Sequence, residues 1–165
     1  MGEGLGGDDL GKLMRLACVG LLLAVIASAS VSCRKTGGGT AISSPEAEVA
    51  VRAVEAATSG EYQDFIYLVD PGFVETATRE TGLAPGAELG RVLSLRFAEK
   101  HLPPGLEKLR RVESEFLPAG ERGTALIWGE MVLEGGNILH LPREEAVRIP
   151  LVRRGECWFV DMLRS

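Results

Sequence analysis

The apolar positions fall into three regimes along the chain. An unbroken apolar run from Leu16 to Ala29 comes first, from Ser44 apolar residues recur at helical spacing, and from Arg110 they alternate residue by residue. Ser44 can cap a helix, Pro45 suits its first turn, and Glu46 and Glu48 suit the positive end of the helix dipole. Ala47, Ala50, Val51 and Val54 then form one stripe, and Gly60 ends it. Tyr62, Phe65, Ile66 and Val69 repeat the spacing until Asp70-Pro71-Gly72. Phe73, Val74 and Ala77 predict one short further turn of helix. Pro85 to His101 reads as a third full helix, with Leu89, Val92, Leu93 and Phe97 on one face.

After Pro103-Pro104-Gly105 the period becomes two. Val112, Ser114 and Phe116 alternate with Arg111, Glu113 and Glu115, a half-buried strand. Pro118 to Gly123 is read as a turn, Thr124 to Leu133 as a second strand and Ile138 to Leu141 as a third. Ala146–Val152 and Cys157–Leu163 pair as a closing hairpin. Pro150 lacks an N–H for a ladder, which predicts an edge or a bulge. Helices followed by a meandering antiparallel sheet make an α+β domain.

Both faces of the second strand are apolar: Ala125, Ile127, Met131 and Leu133 on one, Leu126, Trp128 and Val132 on the other. A sheet with one wet face alternates apolar and polar. The expectation is that the second face is covered, either by a second copy in a homodimer or by elements of the same chain.

The first apolar run sets location. It is about 14 residues long, a secretory h-region rather than a membrane span of roughly 20. Arg15 precedes it and Ser32-Cys33 ends it. A small residue just before such a cysteine resembles a bacterial lipobox, with Ser30 standing where that pattern has an aliphatic residue. The resemblance implies a lipoprotein signal peptide over 1–32, diacylation of Cys33, and anchoring to the outer face of the bacterial cytoplasmic membrane. Each buried acyl methylene contributes about 0.8 kcal/mol, so two or three chains hold a small domain firmly. Two other readings stay open. Ala27-Ser28-Ala29 also fits ordinary signal cleavage, which would release a secreted protein, and an uncut run would be a signal anchor. Glu3, Asp8 and Asp9 outweigh Lys12 ahead of Met14, against the positive start that a signal needs, so Met14 is read as the true first residue. Gly6 to Lys12 has the spacing of a phosphate loop but lacks the following Ser or Thr and a preceding strand.

Residues 33–43, rich in Gly, Ser and Thr, read as a flexible tether with a reach of roughly 15–20 Å. One domain then fills 44–165. The chain of 165 residues carries a net charge of −5, without the basic field of a nucleic-acid binder. Three cysteines fall at Cys18, Cys33 and Cys157. With Cys33 acylated, Cys157 is expected to be unpaired and buried beside Trp158; a Cys33–Cys157 bridge is the alternative.

The element order resembles the cone fold named after nuclear transport factor two, shared with ketosteroid isomerase, limonene epoxide hydrolase and scytalone dehydratase. The likeness rests on Ser59-Gly60-Glu61-Tyr62 through Leu68-Val69-Asp70-Pro71, and on Ile149-Pro150-Leu151-Val152 through Gly155-Glu156-Cys157-Trp158-Phe159-Val160. It is similar to small bacterial lipoproteins of this fold. Enzymes of the fold place Asp, His or Tyr inside the cone. The corresponding candidates are Tyr62, Asp64, Tyr67, His101, His140 and Asp161, with an Asp161–His140 pair the arrangement suited to acid/base work.

Asp161 is in phase with Phe159 and Leu163, a buried position; a surface His140 and a solvent-facing Asp161 are the plainer alternative. Two separated histidines and no Cys pair or H-E-x-x-H predict no metal, and no cofactor motif is present. Arg153-Arg154 reads as a solvated turn or as a contact to anionic headgroups. The function expected is a non-enzymatic, membrane-anchored binding module for a small hydrophobic ligand or another envelope protein. The alternative is a cone-fold enzyme of isomerase, hydrolase or dehydratase type acting on a small hydrophobic substrate.

Overall fold

Ser44 opens the first helix as its sequence predicts: its Oγ accepts a hydrogen bond from the Ala47 N–H at 3.2 Å. The computed structural model describes residues 41–163. The apolar run, Met14, the Ala29 of the alternative cleavage reading and Cys33 lie outside the described residues. Helix α1 (Pro45–Ser59) buries Ala47, Ala50, Val51, Ala53, Val54 and Ala56, and ends on Gly60 in the left-handed conformation. Helix α2 (Tyr62–Leu68) buries Phe65 and Ile66.

Helix α3 (Pro71–Thr81) has 11 residues, three turns where the spacing of Phe73, Val74 and Ala77 predicted one. Asp70 extends it at the start by accepting from the Gly72 N–H, and Gly82 closes it with φ 71°. Its sequence stripe is short because Ala77 alone is buried and the rest faces water or half-buried ground. Helix α4 (Ala87–His101) buries Leu89, Leu93 and Phe97. It begins two residues after Pro85, where Gly86 is fully extended (φ 170°).

Helices α2 and α4 cross at Gly90. A Cβ there would sit 2.1 Å from the Tyr62 carbonyl oxygen, so only glycine admits the approach. Phe65 and Phe97 meet below this crossing with ring centroids 5.2 Å apart.

The strands are β1 (Ala41–Ile42), β2 (Leu106–Ala119), β3 (Arg122–Leu133), β4 (Ile138–Leu141), β5 (Val147–Arg154) and β6 (Cys157–Val160). They form a mixed six-strand sheet in the order β1-β2-β3-β5-β6, with β4 also paired to β3. Only β1 runs parallel to its partner, matching Ala41 to Glu113 and Ile42 to Ser114. The end of the expected tether is therefore part of the sheet.

Strand β2 starts at Leu106, earlier than the alternation at Arg110 suggested. Register shifts between Leu106 and Lys108 and between Leu109 and Arg111 each leave one residue unpaired against β3. Two bulges of this kind bring Leu106, Leu109 and Val112, spaced by three, onto one face. Gly129 opposes Val112 with φ 115°, and a side chain there would meet the Arg111 carbonyl at 2.3 Å.

Helices cover one face of the sheet. Val112, Ala125, Ile127, Met131, Ile149, Leu151 and Val160 are fully buried against α1, α2 and α4. The other face also carries buried apolar residues, Leu126, Val132 and Val152. Part of its cover comes from the same chain. The β4–β5 connection places Arg143 over Trp128, 5.7 Å from the ring centre, and pairs it with Glu115.

Two expectations need correction. Strand β5 is interior, not an edge, and Pro150 pairs with Thr124 across β3. Its carbonyl accepts from the Asp161 N–H at 2.9 Å, so Pro150 lacks its donor on the side where β6 has just ended at Val160. The missing hydrogen bond is avoided by ending the neighbour. Cys157 is exposed rather than buried, because it lies opposite Arg154 next to the turn, at the far end of β6 from the core residue Val160.

Candidate functional site

Asp161 follows β6 directly and is only 2% exposed. Its backbone N–H is spent on Pro150, and its Oδ1 accepts from the Leu163 N–H at 3.1 Å. Its Oδ2 makes no hydrogen bond; Arg122 Nε lies 3.7 Å away as the facing charge. A buried carboxylate with one unsatisfied oxygen is costly unless a cation compensates it.

Beside it runs a groove of about 430 Å³, lined among others by Lys100, His101, Arg122, Thr124, Arg148 and Asp161. Its position follows from where β6 stops. The Arg148 and Pro150 backbone groups face the edge that β6 leaves open, and the C-terminal turn of α4 moves in. His101 lies beside Arg148 in the groove lining and packs on Phe97, centroids 5.4 Å apart. Strand alternation sets Arg122, Thr124 and Arg148 on the face opposite Ala125, Ile127 and Ile149. Lys100 and His101 also border two neighbouring grooves of about 460 and 480 Å³.

Burial pushes the His101 pKa down, the Lys100 charge adds to this, and the Arg148 backbone opposes both. The ring is thus held neutral at neutral pH. Its Nε2 is buried without a hydrogen-bond partner. Lys100 and Arg148, by contrast, are exposed. Chemically the groove lining offers three cations, Lys100, Arg122 and Arg148, together with the Thr124 hydroxyl.

The remaining sequence candidates do not converge on it. His140 stands on β4 with its side chain 70% exposed, Nδ1 4.0 Å from Glu130. Strands β4 and β5 lie end to end along the same edge of β3. His140 pairs opposite Glu130, whereas Asp161 faces Arg122, and β3 spans roughly 25 Å between those two at ~3.3 Å per residue. The structure therefore does not assemble the Asp161–His140 pair. Tyr62 is half-buried in the α2–α4 crossing, and Asp64 is exposed. Tyr67 is 68% exposed and its hydroxyl accepts from Gln63 Nε2.

Sequence reading missed two features. It gave Arg122, Arg148 and Lys100 no role, since nothing local marks surface cations that only β-pairing and the end of α4 bring together. It also read Arg154 as a solvated turn residue. Arg154 instead reaches across the fold to buried Asp70, with Nε at 3.0 Å and Nη2 at 2.7 Å from its two oxygens. Among the described residues no group of three or more His, Cys, Asp or Glu is placed to hold a metal ion.

Comparison of the chain with family models, curated proteins and solved structures finds no match.

Proposed function

We propose that this chain is a lipid-anchored domain of the bacterial cell envelope, acylated at Cys33, with a cone of the nuclear-transport-factor kind that acts as a non-enzymatic binding module. The observation that carries the reading is the short sequence spacing between the apolar run and the first strand. The apolar run closes on Ser32-Cys33, and the first strand of the sheet begins at Ala41. The intervening Gly- and Thr-rich segment is long enough to hold the domain off a bilayer and short enough to keep it there. No helix among the described residues is long and apolar enough to cross a membrane. Four helices ahead of a largely antiparallel sheet support the cone. The helix-covered sheet face is closely packed, which favours binding at the open grooves around His101 over binding inside the cone.

One observation favours a second reading, an enzyme of the same fold. Asp161 and His101, both candidates from sequence, border a single groove.

The test is the intact mass of the protein extracted from its native membranes, beside a Cys33→Ala variant. A chain beginning at Cys33 with diacylglycerol attached, lost in the variant, is the expected result. A mass beginning after Ala29, or an uncut chain, overturns the lipid anchor. Loss of turnover in Asp161→Asn and His101→Gln, with folding intact, is what the enzyme reading requires.

A further inference from the structure

We propose that the groove between the end of α4 and the β3–β5 ladder is a binding site for a phosphate ester, with Arg122, Arg148 and Lys100 as its cations and Thr124 as its hydroxyl. Four observations support it, and none needs the anchor at Cys33.

The first is a shared lining. The three cations come from β3, β5 and α4, elements with no reason of local sequence to meet. The second is that two of them are left over. Arg110, Arg143 and Arg154 each face a carboxylate: Glu130, Glu115 and Asp70. Lys100 and Arg148 have no such partner among the described residues, although acidic residues outnumber basic ones in the chain, 23 to 18. In an acidic protein, three cations gathered in one concavity with a single carboxylate among them repel each other until an anion enters.

The third observation is the role of Asp161. It is the one carboxylate in the groove lining, and its charge is faced from within the protein. It sits 3.7 Å from Arg122 Nε. A guanidinium so held at Nε keeps its terminal nitrogens for an oxyanion, the fork geometry that suits phosphate. Counting Asp161 against the three cations leaves the lining net positive. The fourth is size. About 430 Å³ exceeds what inorganic phosphate needs and suits a small ester. That ester is either a soluble phosphorylated metabolite or the headgroup of an anionic phospholipid; the chemistry presented to the arginines is the same.

The experiment uses the full-length chain in a zwitterionic detergent. Calorimetry measures binding of glycerol 3-phosphate, of inorganic phosphate, and of micelles doped with phosphatidylglycerol. Variants Lys100→Gln and Arg148→Gln change exposed side chains and are expected to fold, which near-native circular dichroism checks. The proposal expects saturable binding with Kd at or below about 1 mM for the soluble ester or the doped micelles, weakened about tenfold by each substitution. Binding of glycerol 3-phosphate identifies a soluble ligand; binding of doped micelles alone identifies a headgroup. Thr124→Val is expected to weaken binding without changing its salt dependence, whereas the cation variants reduce that dependence. No saturable binding in either arm overturns the proposal, as does binding that survives both cation variants.

Discussion

Arg154 and Asp70 form a two-pronged ion pair across 84 positions of sequence, Nε to Oδ1 at 3.0 Å and Nη2 to Oδ2 at 2.7 Å. Asp70 is 2% exposed and also caps α3 through the Gly72 N–H. The pair joins the α2–α3 junction to the β5–β6 turn, next to a bridge between Val69 and Val160. Asp70→Ala removes the cap and both bonds, and is expected to lower unfolding free energy by about 1–3 kcal/mol in a urea titration. Arg154→Gln is expected to destabilise too, since it leaves the buried carboxylate without its counter-charge. An unchanged midpoint in both would show the pair to be inert.

The same pair sets an acid limb. Hydrogen bonds from Arg154 hold the Asp70 carboxyl below its ordinary value, against the burial that would raise it, with help from the Gly72 N–H. A depressed folded pKa means that the unfolded chain binds the proton first as pH falls. The stabilisation is complete above about pH 4 and is lost progressively below it. Asp70→Asn is expected to flatten the fall in stability below that pH relative to wild type. An equally steep fall in the variant would remove Asp70 as its source.

His101 gives a second, separate limb. Burial lowers its pKa in the folded state, so the neutral ring is the folded form. Stability from this residue is present above the unfolded value of about 6.5 and declines as pH falls through and below it. His101→Gln is expected to remove that part of the pH dependence while leaving the carboxylate limb below about pH 4 in place. Thermal midpoints measured across both ranges check it.

Gly90→Ala is expected to destabilise by about 1–3 kcal/mol although alanine favours helix, because the new Cβ collides with the Tyr62 carbonyl. A neutral or stabilising outcome would mean that α2 and α4 do not cross as described.

The Cys157 thiol is exposed and forms no disulfide among the described residues. Maleimide is expected to label it in the native protein, at a rate that denaturant changes little, with peptide mapping locating the adduct. Protection until unfolding would restore the buried position that its neighbour Trp158 suggested.

Much of the fold was legible because it is written locally. Ser44, Pro45 and Gly60 bound α1 through caps that involve only neighbouring backbone, and the stripes of α1, α2 and α4 report one buried face each. The alternation from Val112 to Phe116 likewise marks a strand with a single core face. Sequence periodicity failed where geometry broke the period. Two bulges hid the first part of β2, and α3 has too few buried residues to show a stripe.

The amino-acid sequence by itself determined the helices-then-sheet order, the turns at Gly and Pro, and the apolar run ending at Cys33, since each depends on residues within a few positions. Only the tertiary structure decided which charges meet. It separated His140 from Asp161 by setting β4 and β5 end to end on β3, and it brought Arg154 to Asp70. It also gathered Lys100, Arg122 and Arg148 around the open end of β5. Backbone hydrogen bonding and apolar burial fix strand order, and side-chain charges far apart in sequence are carried to their partners by that order.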